Sequence, residues 1–433
     1  MSDEFPNRAA STIAEPPVDS YPDPSPNAAR RRVVDAFRRR HGKEPKIVVR
    51  APGRVALLGA HIDYSEGWVM PAAIERAVWL AAAPTTAPRW TLGAVDLPTA
   101  EGRASEAVLE LDALPTPPAE SGRDCTWSDY PAGVAWALDE AGRRVPGLDV
   151  VYGGDLPRGG GVSSSAAVEV AFLLAAQELA ALDPGANAAP LDRRALARLA
   201  RRVENGYLGL QSGIMDPYGS LFGRRDHLVL LDCRTETHEL MPLPAGLAVW
   251  VVESGVERRL AGSGFNDRRG QCVAAVEALR PYLDHPVQSL RDVDSETLER
   301  HAHRLPMELR RRAQHAVYEM QRVRQAAEWL REGDVVRFGR AMNASHRSSR
   351  DLYEVTVPEL DVLCAAAWGV EGCLGAKLMG GGFGGCVAIL ARNEALDRVQ
   401  EVVESVFEAE FGRRPEGFVT ALADGAETWL SGA

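Results

Sequence analysis

The chain has 433 residues, 45 % hydrophobic and 25 % charged, a balance that fits a globular protein with room for two domains sharing a cleft. Its 49 basic and 60 acidic residues leave a formal charge of −11, which excludes a general affinity for nucleic acid or anionic membrane. An anionic ligand is then left to local backbone donors and a few arginines. The cysteines Cys125, Cys233, Cys272, Cys364, Cys373 and Cys386 lack CxxC spacing and read as small core residues of a reducing compartment. The start, MSDEF, lacks the basic-then-apolar order of a secretion signal, and no apolar run reaches the roughly 18 residues of a membrane span. A cytoplasmic protein, working as a monomer, is expected.

Along the chain, residues 1–26 carry six prolines among small polar residues and read as a disordered tail. NAARRRVVDAFRRRH places Val33, Val34 and Phe37 on one face of a helix, with Asn27 as its cap. KIVVRAPGRVALLGA is rich in β-branched residues and is broken at Pro52-Gly53, which predicts two strands joined by a turn. LDVVYGGDLP, DHLVLLDCRT and LAVWVVES read as further strands. Helical patterns fill 266–350, and GAKLMGGGFGGCVAILAR is a glycine loop entering a strand. Strands mixed with helices in this order predict an α/β or α+β fold.

Three loops carry chemistry. In GGGVSSSAA, Gly159 to Ala167, the glycines allow a tight turn whose N–H groups converge ahead of a long helix. The arrangement suits phosphate groups, with the serines capping the helix, bonding phosphate oxygens or ligating a metal; an ordinary serine-capped turn is the alternative. It is neither a Walker A loop nor a G-x-G-x-x-G fingerprint. In GIMDPYGSLFG, Asp216 stands in an apolar setting, either as a helix cap or as a catalytic carboxylate. Upstream, Glu204 could complete a magnesium site with a loop serine, since magnesium favours one or two carboxylates plus substrate phosphates. In MGGGFGGC, Met379 to Cys386, the glycines imply a close approach of backbone or ligand, or a flexible hairpin.

Taken in order, APGRVALLGAHIDYSEGWVMPAAI, LPRGGGVSSSAAVEVA and KLMGGGFGGC resemble the three signature motifs of the GHMP kinase superfamily, most closely those of the galactokinases. GIMDPYGSLFG, LLDCRT and FGRAMNASHRSSRDLYEVTVPELD are similar too, so the resemblance runs from about residue 28 to 425. It implies a two-domain α+β fold, with residues 27–243 and 244–433 as its halves, mixed sheets with helices packed on them, and the active site in the cleft between. It implies an ATP-dependent kinase acting on the anomeric hydroxyl of a sugar. Asp216 would accept or orient the C1 hydroxyl, and Arg54 would neutralise the transferring phosphoryl. Ser164 (or its neighbours Ser163 and Ser165) and Glu204 match the Mg²⁺ positions. Gly159, Gly160, Gly161, Ser163, Ser164 and Ser165 match the nucleotide loop, and Trp127 falls where galactokinases carry a tryptophan near adenine.

The sugar motif departs from the family pattern. Galactokinases read G-E-H-T-D-Y where this chain has Gly59, Ala60, His61, Ile62, Asp63 and Tyr64. Ala56 replaces an asparagine, and Phe265 a tyrosine placed near the sugar. The family's glutamate reaches toward the C6 hydroxyl; against a C6 carboxylate it would cost roughly 4 kcal/mol at 4 Å and an effective dielectric near 20. Plant galacturonokinases also read G-A-H-I-D, and VENGYLGLQSGIMD is closer to that branch. The expected acceptor is therefore D-galacturonic acid, with galactose as the alternative and Arg258 or Arg259 as candidate cations for the carboxylate. A non-catalytic galactose and ATP sensor is a further alternative, disfavoured because SSSAA, Arg54 and Asp216 are all present.

Overall fold

The computed structural model describes residues 26–98, 104–157, 159–182, 189–256 and 264–431. The proline-rich stretch read as a tail lies outside them up to residue 25. Strand β1 (Ile47–Leu58) runs unbroken through Pro52-Gly53, correcting the expectation of two strands and a turn. Proline has no N–H to donate, and the ladder slips by a bulge between Pro52 and Arg54 instead of ending there. Gly53 is required at this bulge: a Cβ would overlap Leu156 and come within 2.7 Å of the Val162 carbonyl oxygen. The Arg54 amide leaves the ladder and donates to that same carbonyl at 3.0 Å, tying β1 to the glycine loop before α4.

β1 pairs with β2 (Trp68–Thr85), a long strand that also pairs with β5 (Gly147–Gly154) and, near its start, with β6 (His227–Asp232). β3 (Arg89–Pro98) lies parallel beside β5, β4 (Ala104–Glu110) antiparallel beside β3, and β7 (Thr237–Pro242) beside β6. A second, antiparallel sheet has the order β11-β8-β10-β9, from β8 (Leu247–Glu253), β9 (Cys373–Leu378), β10 (Cys386–Arg392) and β11 (Gly417–Thr420). The last strand, β12 (Glu427–Leu430), returns to pair with β1. A single cut at 243/244 therefore does not describe sheet membership, because the chain's end belongs to the first sheet.

Helix α1 (Pro26–His41) begins one residue before the expected Asn27 cap. Its fully buried Val33 and Phe37 pack on Trp79 and Ala81, while Val34 stays half-buried beside them. Leu80 and Ala82 alternate onto the other face, toward the main core, as the two-residue period of a strand requires. On that side lie the short α2 (Pro118–Ser121), α3 (Asp129–Glu140), α4 (Ser164–Ala180), α5 (Arg193–Arg202) and α6 (Met215–Phe222). α4 is apolar nearly all round and is accordingly the buried central helix, resting on β1 and β2.

The rest of the helices are α7 (Phe265–Leu279), α8 (Ser295–His301), α9 (Met307–Arg331), α10 (Val335–Ser348), α11 (Pro358–Trp368) and α12 (Leu396–Phe411). α10 and α11 pack on β9, while α9 and α10 reach across to β1. Four of the six cysteines are buried as expected. Cys373 is only partly so, and Cys125 is exposed. No helix among the described residues is long and apolar enough to cross a membrane.

Candidate active site

A cleft of about 1200 Å³ collects residues from both halves of the chain. Arg54, His61, Asp63, Tyr64, Trp127, Gly159, Gly161, Ser163, Ser164, Ser165, Glu204, Asp216 and Phe265 all line it. Gly160 and Ala60, both singled out in the sequence, do not. A Cβ at Gly160 would stand 3.2 Å from Cys386 Sγ, because the third glycine motif packs on the phosphate-loop backbone here. Gly380 and Gly381 lie on the cleft wall and Gly385 faces Gly160, while a Cβ at Gly382 or Gly384 would overlap the carbonyl of Val355 or Val256. Ala60 is buried, its amide donating to Glu319 and its carbonyl accepting from His315. The altered position of the sugar motif is thus behind the wall rather than on it. Arg258 and Arg259 lie outside the described residues.

Arg54 joins two loops. Its side chain is 2 % exposed, donates to Asp216 Oδ1 from Nε at 2.9 Å and from Nη2 at 2.7 Å, and reaches the Gly161 carbonyl from Nη1 at 2.5 Å. The guanidinium therefore sits where the Asp216 wall meets the glycine loop. That loop turns through positive φ at Gly159 and Gly161, and Ser163 opens α4 at φ 61°. Ser163 Oγ is buried without a hydrogen-bond partner, and Ser165 Oγ donates to Glu204 Oε1 at 3.3 Å.

Glu204 lies in a wide helical turn, Val203–Leu208, that follows α5, and its other oxygen accepts from Ser212. Burial and then the nearby charge of Asp216 push its carboxyl up to about 7. These oxygen donors suit a hard divalent cation. Among the described residues no group of three or more His, Cys, Asp or Glu side chains is spaced to hold a metal, so phosphate oxygens would have to complete the shell.

At the other end of the cleft, His61 takes φ 57° and its Nδ1 lies 2.9 Å from the Tyr64 hydroxyl, which is 2.7 Å from that of Tyr353. The Phe265 ring packs 5.5 Å from His61 and 5.7 Å from Tyr64. Asp63 is pushed up to about 6 by burial and by Asp216, opposed by the amides of Tyr64 and Met215. Tyr353, in SRDLYE, was not singled out from the sequence, since a tyrosine in a helical stretch carries no chemical signature of its own. Ser212 was missed too, since a lone serine in a loop carries no signature either.

The fold and this cleft define a kinase of the GHMP type. Residues 129–224 match the family model "GHMP kinases N terminal domain", residues 326–409 "GHMP kinases C terminal", and residues 35–84 "Galactokinase galactose-binding signature". Galactokinase from Roseiflexus sp. (strain RS-1) is 40 % identical over 391 residues, covering 90 % of this chain and 95 % of that protein. Galactokinase from Chloroflexus aggregans (strain MD-66 / DSM 9485) is 37 % identical over 393 residues, covering 91 % and 96 %. The structure of Lactococcus lactis galactokinase complexed with galactose matches at a TM-score of 0.83 and 29 % identity, over 92 % of this chain and 99 % of that one. The chain belongs to the galactokinase family of ATP-dependent sugar kinases.

Proposed function

We propose that the protein transfers the γ-phosphoryl of ATP to the C1 hydroxyl of D-galactose. The observation that carries this reading is the match of residues 35–84 to the galactokinase galactose-binding signature, beside galactokinases 40 % and 37 % identical over nine-tenths of the chain. Among the described lining residues Arg54 is the one arginine or lysine, and it is already engaged by Asp216 and Gly161. The acceptor end offers instead Asp63, Asp216 and the hydroxyl of Tyr64, groups that suit the neutral hydroxyls of a hexose. A uronate carboxylate 4 Å from Asp63 would be repelled by roughly 4 kcal/mol at an effective dielectric near 20. The plant galacturonokinases keep this aspartate in G-A-H-I-D, so the repulsion alone does not separate the two sugars. Galacturonate stays as the second reading, resting on Ala60.

In this reading Asp216 holds the C1 hydroxyl and accepts its proton, while Arg54, fixed between Asp216 and the glycine loop, lies against the transferring phosphoryl. The backbone of Gly159 to Gly161 and the N-terminus of α4 cradle the phosphates, and Trp127 flanks the base. Mg²⁺ would be held by Glu204 and the Ser164 hydroxyl, with the orphaned Ser163 beside them; when bound it neutralises phosphate charge.

The test is an ADP-release assay with Mg·ATP and matched galactose, galacturonate, glucose and glucuronate. A kcat/KM for galactose at least about tenfold above galacturonate is expected, the equivalent of about 1.4 kcal/mol. The reverse ratio would move the assignment to a uronate kinase.

A further inference from the structure

Four backbone groups of the sugar motif are gripped by buried polar side chains from the second half of the chain. Lys377 Nζ donates to the Ala56 carbonyl at 3.3 Å. Glu319 Oε1 accepts from the amides of Gly59 at 3.0 Å and Ala60 at 3.1 Å. His315 Nε2 lies 3.0 Å from the Ala60 carbonyl and its Nδ1 2.9 Å from the Ser348 hydroxyl. A carbonyl can only accept, so Nε2 carries the proton and Nδ1 receives one from Ser348. Glu319 and His315 stand one helical turn apart on α9 and are both fully buried.

These contacts are more than core filling. Replacing a buried charge network by apolar residues is often neutral or stabilising, so the cohesion of α9 alone does not call for one. Two successive amides converging on one carboxylate oxygen require a concave backbone, and here it is built from left-handed turns at Gly59, φ 91°, and His61, φ 57°. A left-handed conformation at a residue with a side chain is unfavourable and persists only where the surroundings over-determine it. Ser345 Oγ, at 2.6 Å, and Arg322 complete the shell of Glu319, holding the carboxylate itself in place.

We propose that Glu319 and His315 are positioning residues for the sugar: by clamping the peptide units of Gly59 and Ala60 from α9, they force His61 into its left-handed turn and aim it, with Asp63, at the acceptor. This rests on the reading that His61 and Asp63 form the sugar end of the cleft. It also gives Ala60 a role in which its backbone, rather than the absent carboxylate, carries the function.

The test measures KM for sugar and for ATP, and kcat, in His315→Phe, His315→Gln and Glu319→Gln, using whichever sugar the wild type phosphorylates. A wrong assignment of that sugar therefore leaves the test intact. Phenylalanine keeps the ring volume but leaves the Ala60 carbonyl without its donor; a loss of about tenfold in sugar affinity is expected, with ATP KM within about twofold. Glutamine can still donate from its amide nitrogen, and sugar KM in His315→Gln should return to within about threefold of wild type. Glu319→Gln, which turns an amide toward Arg322, should raise sugar KM by about tenfold as well. Equal weakening of sugar and ATP, or no rescue by glutamine, would overturn the proposal. Should His315→Phe not fold, Ser348→Ala frees the imidazole to turn; a rise in sugar KM of about threefold supports the clamp, and an unchanged KM overturns it.

Discussion

Replacing His315 by glutamine removes the titrating group of the α9 clamp while keeping an amide donor for the Ala60 carbonyl. Burial holds this imidazole at about 4, from an ordinary 6.5, so it is neutral in the folded protein at pH 7. Between those two values the unfolded chain carries a proton here that the folded chain lacks, so the folded state loses stability as pH falls. The full gap corresponds to about 3 kcal/mol, of which about 2–3 kcal/mol is lost between pH 7.5 and 4.5. Asp63 and Glu204, whose carboxyls are raised, act in the opposite sense, but they do so equally in both proteins and cancel in the difference. Urea unfolding followed by tryptophan fluorescence, run at both pH values, gives that difference from the midpoints. His315→Gln should resist acidification by about 2–3 kcal/mol more than wild type. Parallel loss in the two proteins would show that His315 titrates normally and that the clamp is not closed as described.

Asp216→Asn should lower kcat by about 10³ while leaving the ATP dissociation constant within about threefold, as ADP release and calorimetry would show. Retained turnover would remove Asp216 from catalysis. Burial first, then the charges of Glu204 and Asp216, hold the fully buried Glu169 well above 4.5, so the folded protein keeps a proton that the unfolded chain gives up. Wild type should therefore lose stability relative to Glu169→Gln as pH rises from 5 to 8.5, a widening gap in thermal midpoint; a constant gap refutes it. A Cβ at Gly213 would fall inside the Asp63 carboxylate, so Gly213→Ala should raise sugar KM by about tenfold and spare ATP. An unchanged sugar KM would place Asp63 away from the acceptor.

Much of the site was legible because its chemistry sits in short contiguous runs. Asp216 and the loop Gly159 to Ser165 follow from local residue type and spacing, Arg54 only from the family resemblance, and all but Gly160 and Val162 reach the cleft. The unbroken β1 was not legible, since Pro52-Gly53 signals a turn locally and only the approach of Leu156 and Val162 explains a bulge. The clamp was hidden for the opposite reason: His315 and Glu319 look like ordinary helix residues, and their partners are more than 250 positions away. A signal did exist. Both fall on the buried stripe of α9 with Ala313, Ala316, Val317 and Met320, where a polar residue needs a partner. The return of β12 to the first sheet had no local mark at all, because strand pairing over such a distance is decided by the sheet edge it meets.

Phosphorus-31 NMR of the product formed from Mg·ATP with an equimolar mixture of galactose and galacturonate tests the central claim most directly. Beside the resonances of ADP, a single new phosphomonoester resonance, coupled to the anomeric proton of galactose, is the predicted result. A resonance coupled to the anomeric proton of galacturonate, or a phosphate on any other carbon, would contradict it.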